Sequence, residues 1–569
     1  HAETTRQREK PEEEGWRMLR KGWPREGVID EWFEGALETA YARRYPNLYA
    51  IFLEGLARFP DDEIFVFPTL GQRYTRRRLD EAVRKVAASL KDDCGVKKGE
   101  RVAMILLNNP EFCISYLAIA AVGAISVVIN ARLETEELAF QLRDSGSRLV
   151  IVENSLYERV QPLRGKLDNL EIFVTTGDEG VDGTMPFTGL MARETPSHVC
   201  VEVSERDICS ICYTSGTTGR PKGSVITHRN VATNAQALLS CMPYLIPEKY
   251  TLDDIYQIKQ MISVPLFHVT ALHTLFNLCL LGAGAVVLPV FQADQVIESM
   301  VEEQVNFFVG VTAMFWLLRM QPNYHKLVEA GNIEVMFQGG SPMPPELGEL
   351  MLKDFPDAKI GNGFGMTETT SIGAGSLLPP EEVIRRGSSI GWPTPPTLFK
   401  VVDERLQEVP VGEPGELLIS GAGVCRGYWN LPDKTSESFV VNAEGRRWHR
   451  SGDVVVQDEE GFYTIVDRKK DMILRGGENV YCVEVENLIM MNPKVLQVAV
   501  VGVPDQVLGE KIKAVVFPMP GHSITPEEVM EYCRGKIADY KVPDYVVVSD
   551  TPLPMNPGGK TVKDRLRDL

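Results

Sequence analysis

Apolar residues recur every three to four positions over Tyr49–Arg58 and Thr75–Leu90, the spacing of amphipathic helices. Arg101–Leu107 is instead a short apolar run of strand length. Arg148–Glu153, Glu171–Thr175, Val286–Pro289 and Phe307–Val311 repeat that strand texture, separated by helix-length segments, so the pattern predicts alternating α/β layers. From about Lys400 the texture changes to short β segments with Gly and Pro turns, among them Gly412–Gly415, Glu416–Ser420 and Gly461–Val466. The charged run Asp467–Asp471 closes this region. Beyond it Val483–Met491 and Pro526–Lys536 read as helices, Val495–Val501 and Ala514–Phe517 as strands, which suits one small α+β unit.

The expected fold class is α/β: a large N-terminal domain of layered α/β sheets with a small β-rich subdomain, then a small mobile α+β C-terminal domain. The boundaries fall at residues 1–45 for an N-terminal extension, 46–466 for the large domain and 467–569 for the C-terminal one. The extension carries Trp16, Trp23 and Trp32, which hint at packing onto the body or a partner.

Two uncharged stretches, Phe112–Ala131 and Met261–Ala293, are long enough to span hydrocarbon. The first divides into a helical Phe112–Val122, a break at Gly123 and a β-branched run Ile125–Ile129. The second contains Pro265, His268, His273, Gly282, Gly284 and Pro289, and parses as strand end, helix, turn and the strand Ala285–Val290. Both therefore read as buried βα layers rather than membrane spans.

With 569 residues, 44% of them hydrophobic and 24% charged, the composition is that of a folded protein with more than one unit. The net charge of −18 repels polyanions and argues against a nucleic-acid partner, so an anionic ligand needs local positive groups. The ten cysteines follow no disulfide framework or zinc spacing and read as reduced core thiols; Cys209 and Cys212 sit in an apolar strand rather than a redox loop. The charged start from His1 to Glu14 lacks a signal-peptide h-region, and the expected compartment is cytoplasmic.

The densest chemical signal is Tyr213-Thr-Ser-Gly-Thr-Thr-Gly-Arg-Pro-Lys-Gly223, directly after the apolar Ile208–Cys212. Gly216, Gly219 and Gly223 permit close backbone approach, Thr214, Ser215, Thr217 and Thr218 offer hydroxyls, and Lys222 offers charge, the ingredients of a phosphate cradle. It is not a Walker A loop, because Gly223 stands where Ser or Thr would follow the Lys.

At these residues the chain resembles the AMP-forming adenylating superfamily of acyl- and aryl-CoA ligases, peptide-synthetase adenylation domains and beetle luciferases. The resemblance runs from about Tyr49 to the C-terminus through Val264–His268, Gly339–Ser341, Gly363–Glu368, Gly387–Pro393, Ser451–Asp453, Asp467–Asp471, Gly476–Asn479 and Pro554–Lys560. It implies activation of a carboxylate by ATP and Mg²⁺ to an acyl-adenylate, followed by attack of the coenzyme A thiol.

By that resemblance, Phe364 stacks on adenine beside Gly339, Gly340 and Ser341, with Gly363, Gly365 and Met366 around it. Family members often carry Tyr at the Phe364 position. Thr367 contacts phosphate, Glu368 with Thr218 holds Mg²⁺, Asp453 accepts the ribose hydroxyls, and Arg468 contacts the ribose or phosphate side. Lys560 is the family's catalytic lysine of adenylation, Lys470 the hinge, and Gly476 and Gly477 line the tunnel for the pantetheine arm after a domain rotation. His268 gates the acyl pocket, whose other walls include Val269, Val311, Thr312, Gly340 and Gly365. Cys482 stands where many relatives have Pro.

The segment Phe267–Leu272 holds no acid for a substrate ammonium, and the implied walls are apolar or small, favouring a hydrophobic monocarboxylate. The run Ile465–Ile473 resembles fatty-acyl-CoA ligases in particular. An aryl-CoA ligase and an enzyme loading a carrier-protein thiol are the alternatives, separated by assay with free CoA. The expected partners are small molecules, with no nucleic acid and no transmembrane segment; a homodimer is allowed.

Overall fold

In the computed structural model the described residues are 23–214, 221–245, 249–340, 343–378, 380–469, 471–475, 478–555, 561–567 and 569. Two large sheets carry the body; the first is almost wholly parallel, and the second has one parallel and one antiparallel half. In the first, the strands run in the order Lys222–Thr227, Ile208–Thr214, Ile125–Val128, Arg101–Ile105, Leu149–Val152, Ile172–Thr175 and Met185–Pro186. All neighbours are parallel except the edge pair Ile208–Thr214 and Lys222–Thr227. The apolar runs predicted this, because a strand such as Leu149–Val152 that is buried throughout has no solvent face to make polar.

The second sheet is parallel from Glu63–Phe67 through Gly284–Val287, Lys259–Ile262, Phe307–Gly310 and Val335–Gly339 to Lys359–Phe364. At Ala374–Leu378 it turns antiparallel, and it continues through Ser389–Pro393, Tyr463–Arg468, Arg447–Gln457, Pro414–Ser420 and Leu398–Val402. The β-rich texture predicted from Lys400 onward is this antiparallel half. Tyr463–Arg468 reaches further than expected: Asp467 and Arg468, placed from sequence in the charged run beyond the large domain, pair with Val454 and Asp453.

Local signals set the helix ends. Asn109 caps the helix Pro110–Ala121 by accepting the Phe112 N–H at 2.8 Å, with Pro110 at the first helical position. Thr75 caps Arg76–Ala88 in the same way. The two uncharged stretches fold as strand, helix and turn, and among the described residues no helix is long and apolar enough to cross a membrane. All ten cysteines are free, and burial pushes the Cys209 and Cys212 thiols up to about 12, as structural core thiols should be.

The C-terminal sheet holds Ile473–Arg475, Glu478–Val480, Val495–Asp505, Gly509–Pro518 and Tyr545–Val548. Its hairpin is longer than the apolar runs suggested, because pairing continues to Asp505 opposite Gly509. The Asp505 carboxylate accepts the Val507 and Leu508 N–H groups, closing a turn that hydropathy cannot register. The helix expected to reach Lys536 ends at Cys533.

The N-terminal segment is woven into the body. Val28–Phe33 and Ala36–Tyr41 form a hairpin, the Leu37 N–H reaches the Gly445 carbonyl at 2.8 Å, and Tyr41 Oη donates to the Pro395 carbonyl at 3.0 Å. Trp23 is buried, and its Nε1 donates to the Gly375 carbonyl at 2.9 Å. Trp32 is largely exposed, and Trp16 lies outside the described residues.

Candidate active site

In open α/β sheets, ligands gather at the carboxyl ends of parallel strands, where loops can vary without disturbing the core. Here those ends gather the candidate residues. Ile208–Thr214 leads into the phosphate loop, Lys259–Ile262 into Pro265–His268, Phe307–Gly310 into Val311 and Thr312, Val335–Gly339 into Gly340, and Lys359–Phe364 into Gly365–Glu368.

The strands on either side of the expected phosphate loop pair antiparallel. Thr214 lies opposite Lys222, and its Oγ1 donates to the Lys222 carbonyl at 3.3 Å. Gly223 has no room for a side chain, since a Cβ there would lie 2.8 Å from Ile211 Cγ2. Ser215, Gly216, Thr217, Thr218 and Gly219 lie outside the described residues, as does Ser341. The Lys222 ammonium rests 4.1 Å from the centroid of the Tyr428 ring.

Phe364 ends its strand with its ring edge-on to Phe399, at 6.3 Å between centroids, and Phe399 in turn meets Tyr463 at 5.2 Å. Gly339 must be small for the strands to approach: a Cβ would lie 3.0 Å from the Gly363 carbonyl. The turn after Phe364 is tighter still, and a Cβ on Gly365 would fall 1.2 Å from the Ser371 carbonyl oxygen. Met366 precedes the single turn Thr367–Thr369, after which Thr370 and Ser371 both take positive φ, at 54° and 86°. Such backbone is costly for residues with a Cβ and persists only where neighbours hold it. Asn234 Nδ2 donates to the Thr370 carbonyl at 2.7 Å, Thr370 Oγ1 donates to the Gly423 carbonyl at 2.8 Å, and Thr274 Oγ1 and Ser371 Oγ share a bond of 2.8 Å.

Glu368 is buried at 7% exposure, and its Oε1 accepts the Tyr428 hydroxyl at 2.9 Å. No group of three or more His, Cys, Asp or Glu side chains that could hold a metal exists among the described residues. A buried carboxylate whose partner Tyr428 also meets Lys222 nevertheless suits Mg²⁺, which usually takes one or two carboxylates and fills its remaining positions with water and substrate phosphates. His449 packs on Phe439 behind this carboxylate, at 4.7 Å between ring centroids. Burial lowers its imidazole to about 4 against the opposing pull of Glu368.

Asp453 and Arg468 stand opposite each other on adjacent antiparallel strands, with Arg468 Nε 3.1 Å from Asp453 Oδ1. Ser451 Oγ accepts the Asp453 N–H at 3.0 Å. Asp453, expected at the ribose hydroxyls, and Arg468, expected on the ribose or phosphate side, thus form one unit.

Where the acyl pocket is expected, Gly340 takes a φ of +80°, and a Cβ on it would lie 3.6 Å from Val311 Cγ1. Gln338 Nε2 donates to Thr312 Oγ1 at 2.8 Å, so Val311, Thr312 and Gly340 lie close together. His268 and Val269 open a turn of π-helix, Thr270–Leu275, whose Thr274 is the partner of Ser371. The element carrying His268 is thereby tied to the strained residues that follow Glu368.

Lys470, Gly476, Gly477 and Lys560 lie outside the described residues. The described residues of the C-terminal region include a largely buried ionic cluster. Asp467 accepts the Arg468 and Cys482 N–H groups, and Lys563 pairs with Glu486 at 2.7 Å. Burial raises the Asp467 carboxyl to about 7 although Lys563 pulls it down. Burial also opposes the charge on Lys563, but Glu486, Cys482 and Asp467 outweigh it and hold the ammonium above its usual range.

Sequence reading missed Tyr428, Asn234, Thr274 and His449. Tyr428 and His449 sit in segments that read only as β texture, and Asn234 and Thr274 lie on helical segments with nothing local to mark them.

Residues 52–429 match the family model described as AMP-binding enzyme, and residues 484–560 match that of the AMP-binding enzyme C-terminal domain. The chain is 33% identical over 511 residues to the long-chain-fatty-acid–CoA ligase FadD13 of Mycobacterium tuberculosis (strain CDC 1551 / Oshkosh), covering 90% of this chain and 95% of that protein. It is also 33% identical over 499 residues to a feruloyl-CoA synthase of an Amycolatopsis species, covering 87% and 94%. Among solved structures, the anthranilate CoA ligase AuaEII in complex with anthranoyl-AMP superposes with a TM-score of 0.81 at 25% identity, covering 92% of this chain and 97% of that one.

Proposed function

Since the chain belongs to the AMP-binding enzyme family and is an AMP-forming carboxylate–CoA ligase that uses ATP, Mg²⁺ and CoA, we propose that its acid is a hydrophobic monocarboxylate with an aliphatic tail. The observation that carries this is the acyl end itself. Apart from His268, its expected walls Val269, Val311, Thr312, Gly340 and Gly365 bring no charge, and the one hydroxyl among them, on Thr312, is engaged by Gln338. An ammonium on the substrate would meet no acid among these residues, and a second carboxylate no Lys or Arg, at a cost of several kcal/mol. The likeness to a long-chain-fatty-acid–CoA ligase supports the aliphatic reading. An aryl acid is the second reading, favoured by the equal identity to a feruloyl-CoA synthase.

In the first half-reaction a carboxylate oxygen of the acid attacks the α-phosphorus of ATP, forming acyl-AMP and releasing pyrophosphate. The residues assigned to it hold two anions in line while charge builds on phosphate. The loop Thr214–Gly223 with Lys222 receives the phosphates, Thr367 contacts them, and the Asp453–Arg468 pair holds ribose. Glu368 would hold Mg²⁺, which when bound neutralises phosphate charge. Lys560 reaches the carboxylate and the α-phosphate. In the second half-reaction the CoA thiolate attacks the acyl carbon and AMP leaves. Gly476 and Gly477 line its approach, and Lys470 is the hinge that exchanges the two faces of the C-terminal domain.

The test is ATP–pyrophosphate exchange with a panel of fatty, aryl, dicarboxylic and amino acids, followed by product analysis with CoA. Exchange should be strongest with apolar monocarboxylates. Preference for a dicarboxylate or an amino acid would overturn the substrate reading.

A further inference from the structure

Tyr428 stands between Lys222 and Glu368. Its hydroxyl donates to Glu368 Oε1 at 2.9 Å while its ring face receives the Lys222 ammonium at 4.1 Å from the centroid. The phenol is well anchored. It is 6% exposed, Phe439 packs against its ring at 5.7 Å, and Thr435 Oγ1 accepts its backbone N–H at 3.0 Å. Its segment is stitched to the strand that carries Lys222: Tyr428 bridges Ser224, and the next residue, Trp429, donates its N–H to the Gly223 carbonyl at 2.7 Å.

An ammonium and a carboxylate brought together in a partly dry site attract strongly, and a direct pair would occupy both charges. The nucleotide needs both, the cation for phosphate and the carboxylate for the metal. A phenol between them resolves the conflict. Its O–H satisfies one oxygen of Glu368 and leaves the other, while its π face attracts the ammonium without neutralising it.

We propose that Tyr428 is a positioning residue for adenylation: its hydroxyl orients Glu368 toward the magnesium-bound phosphates, and its ring keeps Lys222 beside the phosphate hairpin until the anion arrives. This rests on Glu368 as the magnesium carboxylate and Lys222 as the phosphate cation.

The experiment compares the full-length protein with Tyr428→Phe, which keeps the ring, and Tyr428→Leu, which loses both features. ATP binding is measured by calorimetry with Mg²⁺ and with chelator, and pyrophosphate exchange is measured across a Mg²⁺ titration. Tyr428→Phe should raise the Mg²⁺ needed for half-maximal exchange roughly ten- to a hundredfold, as expected for one lost hydrogen bond to a charged group. It should weaken ATP binding with Mg²⁺ and leave binding in chelator unchanged. Tyr428→Leu should also weaken binding in chelator, because Lys222 loses its seat. Both should transfer acyl groups from supplied acyl-AMP to CoA at near wild-type rates, which a merely misfolded variant would not. An unchanged Mg²⁺ midpoint in Tyr428→Phe, or equal loss of both half-reactions, overturns the proposal. Glu368→Gln separates it from its premise: wild-type Mg²⁺ dependence in that variant removes the assignment of Glu368, whereas its loss beside an unaffected Tyr428→Phe removes only the role of Tyr428.

Discussion

Arg468 Nε lies 3.1 Å from Asp453 Oδ1 across one rung of an antiparallel ladder, and Asp453 is almost wholly buried. The strand thus continues into the charged run at Asp467–Asp471 because Arg468 gives that buried carboxylate a partner. Asp453→Asn keeps the shape and removes the charge that should accept both ribose hydroxyls. The KM for ATP should rise by about tenfold or more, equivalent to about 1.4 kcal/mol or more, with far less effect on CoA transfer from supplied acyl-AMP. An unchanged KM for ATP would remove Asp453 from the ribose site.

Trp23 contributes packing that the family match, which begins at residue 52, does not include. Its indole is buried, bonded to the Gly375 carbonyl and set edge-on to Tyr244 at 6.2 Å. Trp23→Ala should cost about 3–5 kcal/mol of stability, as large aromatic truncations in cores do. Thermal unfolding of that variant and of a chain lacking residues 1–45 should show comparable loss. A Tm within a degree of wild type would mean that the N-terminal segment is dispensable to the body.

Three buried imidazoles make the fold sensitive to acid. Burial lowers His228, His273 and His449 to about 4, 3 and 4, and the Leu48 N–H donates to His228 Nδ1, a bond only the neutral ring accepts. A histidine depressed in the folded state contributes stability that is complete above its unfolded value near 6.5 and is lost as pH falls toward 4. Asp467, raised to about 7, acts oppositely: its contribution is complete below an unfolded value near 3.9 and fades as pH rises to 7. Each of the three histidines should therefore lower stability on acidification from pH 6.5, by up to about 1.4 kcal/mol per pH unit. His273 has both ring nitrogens buried without a hydrogen bond, so His273→Leu should flatten the acid limb of a denaturation series. Parallel curves for wild type and variant would contradict this.

Lys560→Ala should reduce acyl-AMP formation by several orders of magnitude and leave CoA attack on supplied acyl-AMP largely intact, because the lysine is assigned to charge building at the α-phosphate. Gly477→Trp should do the reverse by blocking the thiol's path. Single-turnover measurement of each half-reaction decides the matter, and equal loss of both in either variant would dissolve the division of roles.

Much of this was open to reading in the chain. Apolar runs marked the parallel strands, and glycines and hydroxyls marked the turn after Ile208–Cys212, because burial and tight turns restrict residue type wherever they occur. Gly365 shows the strength of that restriction: only hydrogen fits against the Ser371 carbonyl. The roles expected of Glu368, Asp453, Arg468 and Lys560 were legible through the ordered recurrence of the family's motifs, since Asp453 and Arg468 lie on paired strands where hydropathy alone marks nothing.

What only the tertiary structure decided is which distant residues share a neighbour. Tyr428 is 60 positions from Glu368, and Trp23 is 352 from Gly375. Such contacts depend on how strands register and how loops cross over one another. Side-chain periodicity reports only which face a residue takes within its own element, so a tyrosine in a β-rich segment reads as ordinary packing. Its placement between a lysine and a glutamate is a product of the assembled sheets.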